Sequence, residues 1–470
     1  MPLILPGNVA SALGTGYDVD NSCRFNDGDS AYMQKTSSAG NRRTFTLSAW
    51  VKRGSITYGY ATFFSSDQAA ENSFRVTFDD DDGSNDDRLM VYYYTGSHQL
   101  KFITNREFRD CSAWYHIVVA VDTTQSTNTN RVKIYVNGTQ ETSFSTATYP
   151  SQNLDTSVNQ SGAPARVGAG TDLYFDGYMA EVCWIDGTQY AASDFGEFDS
   201  DSPQIWKPKD VSGLTFGTNG FYLDFKDSSN LGNDANGGTD LTETNVAAID
   251  QSTDTPTNNF ATWNPLFSAS NLSYAEGAVE ISCSADGWFE SGATIGISTG
   301  KWYFELKCTL GSGTYSSESI KFGIKNSEDI NDGSGEVTQN NGNHYQADGN
   351  SGNNSSLSGV GTFATYTTND IIGCAVDMTN RKIYYHKNGT YINSGDPAAG
   401  SNGFDISSNF DFVLPTISMY ESGTKGEVNF GNPSFSISSG NADADGYGNF
   451  EYSVPSGFYA LCTKNLAEYG

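Results

Sequence analysis

Two similar segments, each closed by the dipeptide Asn-Gly, constrain the fold of this chain more than any other feature. Residues 131–136 alternate between apolar and polar side chains and are followed by Asn137-Gly138. Residues 381–386 form the matching segment before Asn388-Gly389. Alternation with a period of two is typical of a β-strand, and Asn-Gly adopts the positive φ angles of a tight hairpin. The sequence therefore predicts two antiparallel hairpins of the same design.

The segments before these hairpins and the composition both favour strands. Residues 114–121 and 371–377 are almost entirely apolar, as expected for central strands covered on both sides. The chain of 470 residues contains 50 Gly, 27 Tyr and 28 Phe, and only 17% of its residues are charged. This composition favours strands and turns over helices. In a further half-buried strand, alternation predicts one inner face, made of Phe45, Leu47, Ala49 and Val51.

The predicted domain organisation depends on the chain length and on one polar segment. A chain of 470 residues is longer than the length at which a single hydrophobic core stops growing, so two domains are expected. Residues 254–266 lack strand alternation and contain two prolines, which favour extended backbone before them. We predict an N-terminal segment at residues 1–16, a first sandwich at 17–229, a linker at 230–259 and a second sandwich at 260–470. Phe260 and Trp263 are expected to pack on the second sandwich.

Two alternatives stay open in this organisation. Residues 254–266 form either the joint between two domains or a surface loop of one large sheet domain, although such a long loop is uncommon in a compact domain. The N-terminal segment, residues 1–16, contains the apolar run Leu3-Ile4-Leu5. It is either a docking arm that lies in the groove of another protein or the first strand of the N-terminal domain.

Charge and cysteine content narrow the classes of partner. The net charge of −29 disfavours nucleic acid and anionic membranes, because both depend on lysine and arginine. No window of about 20 apolar residues and no basic signal segment occurs, so we expect neither membrane insertion nor classical secretion. The seven cysteines are far apart and include no C-x-x-C pair. They favour buried free thiols made in a reducing cytoplasm over disulfides or a zinc site.

Four motifs in the first half form one pattern: Leu47-Ser48-Ala49-Trp50-Val51, Trp114-Tyr115-His116-Ile117-Val118, Ile134-Tyr135-Val136-Asn137-Gly138 and Asp176-Gly177-Tyr178-Met179-Ala180-Glu181-Val182. This set resembles the laminin-G-like, concanavalin A-like jelly-roll family over residues 17–225. The resemblance implies a β-sandwich that binds sugars or other proteins, and some relatives of this family are glycoside hydrolases. The hydrolases carry E-x-D-x-x-E or E-x-D-x-E on one strand, which suits a retaining mechanism. The nearest segment here, residues 197–202, lacks the second glutamate.

A second set of motifs lies in the other half: Gly300-Lys301-Trp302-Tyr303-Phe304-Glu305, Asp370-Ile371-Ile372-Gly373, Lys387-Asn388-Gly389 and Val428-Asn429-Phe430-Gly431-Asn432-Pro433-Ser434-Phe435. This set resembles the SPRY family, another concanavalin A-like sandwich. The resemblance implies no catalytic activity and loops that are presented to a partner, usually a protein. Residues 340–358 and 391–401 are the candidate loops. The expected fold class is therefore all-β, with two concanavalin A-like antiparallel sandwiches, or jelly rolls, in tandem.

Two acidic segments contain candidate calcium ligands, since calcium takes several oxygen ligands in flexible geometry. The first lies in the run after residue 78, where a solvated hairpin loop is the preferred interpretation. The second resembles the start of an EF-hand loop, but Glu451 falls one position short and no flanking helices are apparent, so an Asx-rich turn is preferred. The candidate ligands are Asp79, Asp81, Asp86, Asp443 and Asp445. No other cofactor and no catalytic residue is predicted.

The order of a laminin-G-like sandwich, a joint rich in Thr and Asn, and a SPRY-like sandwich resembles virion proteins of tailed bacteriophages of marine bacteria. The resemblance implies a tail fibre, tail-tip or capsid appendage protein, present in several copies or as a homo-oligomer beside other virion proteins and assembled in the host cytoplasm. We expect a non-enzymatic protein that recognises glycans or proteins of the host surface. The alternatives are a purely architectural connector and, from a different class, a glycan depolymerase.

Overall fold

The computed structural model describes residue 4 and residues 16–56, 59–69, 72–79, 87–267, 269–313, 319–329, 335, 341–352 and 363–470. The chain divides into two compact units. The N-terminal unit spans Thr15–Thr257, and the C-terminal unit comprises Asn258–Gly470. Ile4 belongs to the C-terminal unit, where it pairs in parallel with Ile295. Each unit has its own hydrophobic core.

The N-terminal unit is built from two antiparallel sheets that enclose its core. One sheet has the order β10-β9-β8-β3-β15-β1-β20 with β18 beside β15, and the other has the order β11-β7-β6-β5-β4-β12-β2-β19. Short 3-10 turns occur at Asn128–Asn130, Ala192–Asp194 and Ala248–Asp250. The strands are β1 Ser22–Phe25, β2 Tyr32–Thr36, β3 Thr44–Arg53, β4 Ala61–Ala69, β5 Asn72–Asp79, β6 Arg88–Tyr94, β7 His98–Glu107, β8 Tyr115–Asp122, β9 Val132–Val136, β10 Thr139–Gln140, β11 Phe144–Thr148, β12 Pro164–Val167, β13 Ala169–Gly170, β14 Leu173–Tyr174, β15 Gly177–Asp186, β16 Gly196–Phe198, β17 Trp206–Pro208, β18 Phe221–Leu223, β19 Thr242–Thr244 and β20 Gln251–Ser252.

The C-terminal unit also consists of two sheets around one core. Its larger sheet has the order β21-β22-β33-β24-β28-β29-β30, with β31 beside β29 and β34 parallel to β24, and its smaller sheet has the order β23-β32-β25-β26-β27. Short 3-10 turns occur at Ser327–Asp329 and Ile392–Ser394. The strands and the helix are β21 Leu272–Ala275, β22 Glu280–Cys283, β23 Phe289–Gly292, β24 Lys301–Thr309, β25 Ile320–Asn326, β26 Gly342–Gln346, β27 Ser351–Gly352, β28 Ile371–Asp377, β29 Lys382–Lys387, β30 Thr390–Tyr391, β31 Phe404–Asp405, β32 Val413–Met419, β33 Lys425–Asn429, β34 Tyr459–Ala460 and α1 Thr463–Tyr469. Among the helices that the structure describes, none is long and apolar enough to span a membrane.

Both Asn-Gly hairpins have the predicted geometry. Asn137 and Gly138 have φ angles of 47° and 77°, and Asn388 and Gly389 have φ angles of 47° and 79°. In each case the asparagine N–H donates a hydrogen bond to the start of the preceding central segment, to His116 O in one unit and to Ile371 O in the other. The two units therefore repeat one local design.

The inner face predicted for β3 is confirmed, but the other face differs from the expectation. Phe45 and Val51 are fully buried in the core, as are the residues between them on that face. Ser48, Trp50 and Lys52 point to the opposite face and are also at most 4% exposed. This sheet is buried on both faces because residues 190–216 and the chain around Val19 pack over its outer side. The description of β3 as half-buried is therefore wrong.

The linker predicted at residues 230–259 is also different in the structure. β19 pairs with β2 and β20 pairs with β1, so this segment extends both sheets of the N-terminal unit. The polar character that indicated a joint comes from buried pairs: Asp254 is 0% exposed and binds Lys52 through Nζ–Oδ2 at 2.7 Å. Trp114 Nε1 donates to the other carboxylate oxygen of Asp254 at 3.0 Å. Burial with specific partners, rather than solvation, explains these polar residues.

The beginning of the C-terminal unit agrees with its prediction. Phe260 and Trp263 are at most 1% exposed. The backbone of Phe260 forms an isolated β-bridge with Cys462, and that of Trp263 forms one with Ala293. Most of the predicted N-terminal segment lies outside the described residues. At Ile4 the first-strand alternative is wrong, because Ile4 N donates to Thr294 O and Ile4 O accepts from Gly296 N, both within the C-terminal unit. All seven cysteines are buried free thiols, as predicted.

The pair Lys52–Asp254 should stabilise the N-terminal unit. We expect Asp254→Asn to lower the free energy of unfolding by about 3 to 5 kcal/mol, because it leaves the buried Lys52 ammonium without its counter-ion. Denaturant unfolding followed by circular dichroism measures the change. Asp155→Asn is the control, since the pair Arg43–Asp155 is exposed and such pairs contribute little. Equal stability of Asp254→Asn and the wild type would contradict this role.

Candidate functional site

An aromatic pocket lies at the hairpin of β16 and β17 in the N-terminal unit. The antiparallel pairing of these strands sets Phe198 opposite Trp206, and their rings meet edge to face with centroids 4.9 Å apart. The pocket has a volume of about 310 Å³ and is also lined by Tyr135, Ser193 and Glu197. Phe198 is 47% exposed. The hairpin therefore presents an aromatic surface to solvent.

Trp206 contacts the buried His116 of β8. Trp206 Nε1 donates to His116 Nδ1 at 2.9 Å, and the two ring planes are inclined by 22°. Trp50 of β3 stacks with His116, with centroids 4.8 Å apart. Because His116 is 0% exposed, this stack fixes the position of Trp206 from the buried outer face of the sheet.

The hydrogen bonds of His116 rule it out as a base for Ser48. Burial lowers the pKa of His116 to about 3, so the imidazole is neutral at pH 7. Indole is only a donor, and Nδ1 therefore carries no proton when it accepts from Trp206. The single ring proton is then on Nε2, which donates to Ser48 Oγ at 2.8 Å. With no lone pair free on Nε2, this pair cannot activate a nucleophile.

Two glycines make room for Trp206. A Cβ on Gly138 would lie 2.2 Å from the indole ring, and a Cβ on Gly196 would lie 2.6 Å from it. Gly138 is also the positive-φ residue of the Asn-Gly hairpin. One residue thus meets both the turn geometry and the steric requirement of the pocket.

One carboxylate lies at the rim of this pocket. Glu197 is on β16 next to Phe198, and its side chain is 55% exposed. Lys207 Nζ lies 3.6 Å from Glu197 and 3.2 Å from Asp199. Asp199 Oδ1 accepts hydrogen bonds from the backbone of the following turn, at Asp201 and Ser202. The Glu197 carboxylate shares Lys207 with Asp199, and its exposed side chain places a partly paired acceptor at the rim of the pocket.

A second concavity of the N-terminal unit is polar. This polar groove has a volume of about 480 Å³. It lies between the end of β2, with Gln34 to Thr36, and the loops at residues 217–220 and 236–242. None of the described residues that line it is aromatic. Its chemistry is therefore different from that of the aromatic pocket.

A buried carboxyl lies on the outer face of the sheet that contains β3, β8 and β15. Glu181 of β15 is 5% exposed and has a φ of 50° at the irregular pairing of β15 with β3. Tyr222 Oη contacts both carboxylate oxygens of Glu181 at 2.8 and 2.9 Å, and Tyr17 Oη lies 3.1 Å from Tyr222 Oη. Burial raises the pKa of Glu181 to about 7. This group therefore titrates near neutral pH.

The C-terminal unit contains a comparable buried network. Gly389 N donates to His386 Nδ1, which leaves the ring proton on Nε2, 2.7 Å from Tyr303 Oη. Tyr303 Oη in turn lies 2.8 Å from Glu305 Oε1. Glu305 is 0% exposed, and its carboxylate also accepts from Asn429 and from the backbone at residues 451 and 452. Every group of this network has a partner, which indicates a structural role.

A shallow pocket of the C-terminal unit borders its Asn-Gly hairpin. It has a volume of about 380 Å³ and is lined by Phe363, Lys387, Asn388 and Tyr391, among others. Lys387 Nζ and Asn388 Nδ2 both bind the Asp370 carboxylate, so these two polar groups of the pocket are already paired. The candidate loop at residues 391–401 begins here, whereas the other candidate loop, residues 340–358, lies partly outside the described residues.

The predicted calcium ligands lie in two separate places. Asp79 ends β5 and is 4% exposed, while Asp81 and Asp86 lie outside the described residues. Asp443 accepts four hydrogen bonds, two on each carboxylate oxygen, from Asp445 N, Tyr447 N, Ala460 N and Asn465 Nδ2. Asp445 Oδ2 accepts from Tyr469 Oη. The hydrogen bond from Asp445 N to Asp443 Oδ1 closes an Asx turn at Asp443.

In the described ranges, no group of three or more His, Cys, Asp or Glu side chains is arranged to hold a metal ion. Sequence reasoning placed candidates on the acidic segments and missed the aromatic pocket. Phe198 and Trp206 flank a turn that carries Pro203, and their partner His116 is distant in sequence. The sequence signal that could have indicated the pocket is the pair of aromatic residues Phe198 and Trp206 in an otherwise polar segment.

Comparisons with known proteins agree with this fold. Residues 27–190 match the family model described as the concanavalin A-like lectin/glucanases superfamily, Laminin_G_3, and residues 301–433 match the SPRY domain. A comparison with curated proteins finds no match. The protein is nearly all β, and the predicted tandem of concanavalin A-like antiparallel sandwiches is confirmed. The match over residues 27–190 is to a superfamily of lectins and glucanases, which indicates a lectin-like fold suited to glycan or protein binding.

Several solved structures are similar to parts of this chain. The SPRY domain of human HERC1 is 19% identical with a TM-score of 0.24, covering 32% of this chain and 86% of its own. Domain 4 of an extracellular arabinanase from Geobacillus stearothermophilus, solved with arabinotriose, is 18% identical with a TM-score of 0.24, covering 33% and 64%. A protein from Bacteroides ovatus named "putative carbohydrate binding protein" is 15% identical with a TM-score of 0.34, covering 48% of this chain and 59% of its own.

The glycine beneath Trp206 can be tested by substitution. Gly138→Ala combines a positive φ with a Cβ 2.2 Å from the indole, whereas Gly162→Ala has a φ of 84° and nothing within 4 Å. We expect Gly162→Ala to cost about 1 kcal/mol of unfolding free energy from its backbone conformation alone. Gly138→Ala should cost clearly more and should change the tryptophan fluorescence. Equal effects of the two substitutions would show that Gly138 does not position Trp206.

Glu181 predicts a pH dependence of stability. Its pKa is about 7 in the folded chain and 4.5 as the ordinary value, so the folded state binds the proton more tightly. The stabilisation is complete below pH 4.5, is lost as the pH rises through 7, and changes by at most about 1.4 kcal/mol per pH unit. Denaturant unfolding at pH 5.5 and pH 8 measures the slope.

Glu181→Gln should reduce this slope, because the amide does not titrate. Glu107→Gln, at an exposed carboxylate of β7, is the control and should leave the slope unchanged. An identical slope in the Glu181→Gln variant and the wild type would contradict the assignment.

Proposed function

We propose that the protein is a non-enzymatic virion protein of a tailed bacteriophage, a tail fibre, tail-tip or capsid appendage, that recognises glycans or proteins on the host surface. The single observation that carries the recognition function is the open aromatic pocket of the N-terminal unit, with Phe198 47% exposed above Trp206. The virion role rests on the resemblance of the domain order to phage proteins. Multiple copies beside other virion proteins, assembled in the host cytoplasm, are part of this proposal.

The chemistry of the aromatic pocket suits a sugar ring. One face of a pyranose carries several C–H groups and packs on an aromatic ring, while its hydroxyls require polar partners. Phe198 and Trp206 supply the aromatic surface, and Glu197 supplies an acceptor at the rim. Because Trp206 is fixed by His116, little conformational entropy is lost when a ligand packs against it.

The buried histidines support binding rather than catalysis. His116 and His386 each accept a hydrogen bond on Nδ1 and face a hydroxyl with Nε2. Burial lowers the pKa of both to about 3, so neither serves as a base near pH 7. The depolymerase alternative needs a carboxylate pair flanking a glycosidic bond. Glu197 and Asp199 do not supply one, because Asp199 is bound by its own turn.

The architectural alternative has one observation in its favour. Ile4 N donates to Thr294 O and Ile4 O accepts from Gly296 N, so the C-terminal unit pairs with the backbone of Ile4. Backbone pairing of this type can also connect one protein to another. Removal of residues 1–16 separates the two functions, since loss of particle assembly with intact glycan binding supports the connector.

The recognition function predicts a specific loss on truncation of Phe198. We expect purified chain to bind susceptible host cells or their isolated surface glycans, and Phe198→Ala to weaken this binding about tenfold, because an exposed aromatic contact is removed. Glycan arrays and cell-adsorption assays with calcium present measure the effect. Ile249→Ala is the matched control, since Ile249 is 39% exposed in the same unit but does not line the pocket.

Wild-type affinity in the Phe198→Ala variant would show that the aromatic pocket is not the binding site. Failure of the wild type to bind any susceptible host or host glycan would count against recognition as the function. Reducing ends released from host polysaccharide would favour the depolymerase.

A further inference from the structure

The floor of the polar groove is fixed by a buried carboxylate. Asp186 is 8% exposed, and its Oδ1 accepts from Asn41 N and Asn159 Nδ2. Its Oδ2 accepts from both the backbone N–H and the side-chain amide of Asn219. Asn219 Oδ1 in turn accepts from Ser38 N at 2.8 Å. The backbone at residues 38–41 and the loop at residues 217–220 are therefore joined through Asp186. This connection pre-organises the floor of the groove for a ligand.

The opposite wall of the groove is fixed in the same way. Asp234 is 2% exposed, and its Oδ1 accepts from Tyr222 N and Asn236 N. Lys35 Nζ lies 3.5 Å from Asp234 Oδ2. A Cβ on Gly238 would lie 2.3 Å from the same oxygen, so the loop backbone packs directly on this carboxylate.

The two charged groups that line the polar groove are already paired. Lys35 Nζ lies near Asp234 and also donates to Gly220 O at 3.3 Å. Asp240 Oδ1 accepts from Asp234 N, and its Oδ2 accepts from Asn230 Nδ2 at 2.9 Å. An anionic ligand would bring its charge close to two aspartates, and the lysine among the described lining residues, Lys35, is already paired.

The groups that remain open are neutral. Five exposed side chains of the groove make no hydrogen bond to another residue in the described part of the chain: Thr36, Thr218, Asn236, Thr239 and Thr242. Threonine hydroxyls and the asparagine amide each donate and accept. Sugar hydroxyls also donate and accept, so this set matches a hydroxyl-rich neutral ligand.

We propose that the polar groove is a second carbohydrate-binding site, which takes an uncharged stretch of a glycan through its hydroxyl groups. It differs from the aromatic pocket because it offers hydrogen bonds without a ring surface. This inference rests on the proposed function, because it takes the ligand to be a glycan. The polar groove is nevertheless formed by different residues from those of the aromatic pocket. The two proposals therefore fail separately.

Calorimetric titration of the full chain with hexasaccharides tests the polar groove. The probes are maltohexaose, cellohexaose and laminarihexaose as neutral ligands and hexagalacturonate as the acidic one. We expect binding of at least one neutral hexasaccharide and tighter binding of it than of hexagalacturonate. The double variant Thr218→Ala with Asn236→Ala should bind about tenfold more weakly, because two hydrogen-bonding groups are removed. Thr239→Tyr, which fills the groove, should also weaken binding.

Thr148→Ala is the matched control, because Thr148 is an exposed threonine of β11 at the opposite edge of the same sheet. Wild-type affinity in both groove variants overturns the second site. If Phe198→Ala then still weakens binding, the proposed function stands without it. Preference for hexagalacturonate, or no binding of any neutral hexasaccharide, overturns the ligand class. If the groove variants bind more weakly while Phe198→Ala binds with wild-type affinity, the polar groove is a binding site and the aromatic pocket is not.

Discussion

The sheet that contains β3, β8 and β15 is buried on both faces, and the candidate sites of the N-terminal unit depend on this burial. Its inner face is apolar, but its outer face carries Ser48, Lys52, His116 and Glu181, which are all at most 5% exposed. Buried polar groups require partners. The segments that cover this face supply them, and in doing so they place Trp206 over His116 and create the aromatic pocket.

The two units use similar means to stabilise their outer faces. Each has an Asn-Gly hairpin with nearly identical φ angles and a buried neutral histidine whose Nδ1 accepts a hydrogen bond. The difference lies in the donor. In the C-terminal unit the donor is a backbone N–H and the histidine network closes on Glu305, whereas in the N-terminal unit the donor is an indole that reaches the surface. The same local design thus gives a closed structural network in one unit and an open pocket in the other.

Sequence periodicity predicted the all-β fold, the inner face of β3 and both hairpins, because alternation and Asn-Gly geometry are local properties. The linker prediction failed at Asp254, since its polarity is satisfied by Lys52, which is 202 residues away in sequence. The aromatic pocket was missed for the same reason: Trp206 depends on His116, 90 residues before it, and on the space left by Gly138. Long-range partners decide whether a polar or aromatic residue is solvated, buried or presented to a ligand.

The most direct measurement of sugar binding in the aromatic pocket is saturation-transfer NMR on the full chain with a bound host-glycan fragment. Irradiation of the aromatic protons of the protein should transfer saturation to the ring C–H protons of one sugar. This transfer should be strong in the wild type and in Ile249→Ala, and lost in Phe198→Ala. A glycan that binds with the same transfer in all three proteins would contradict the assignment of the aromatic pocket as the recognition site.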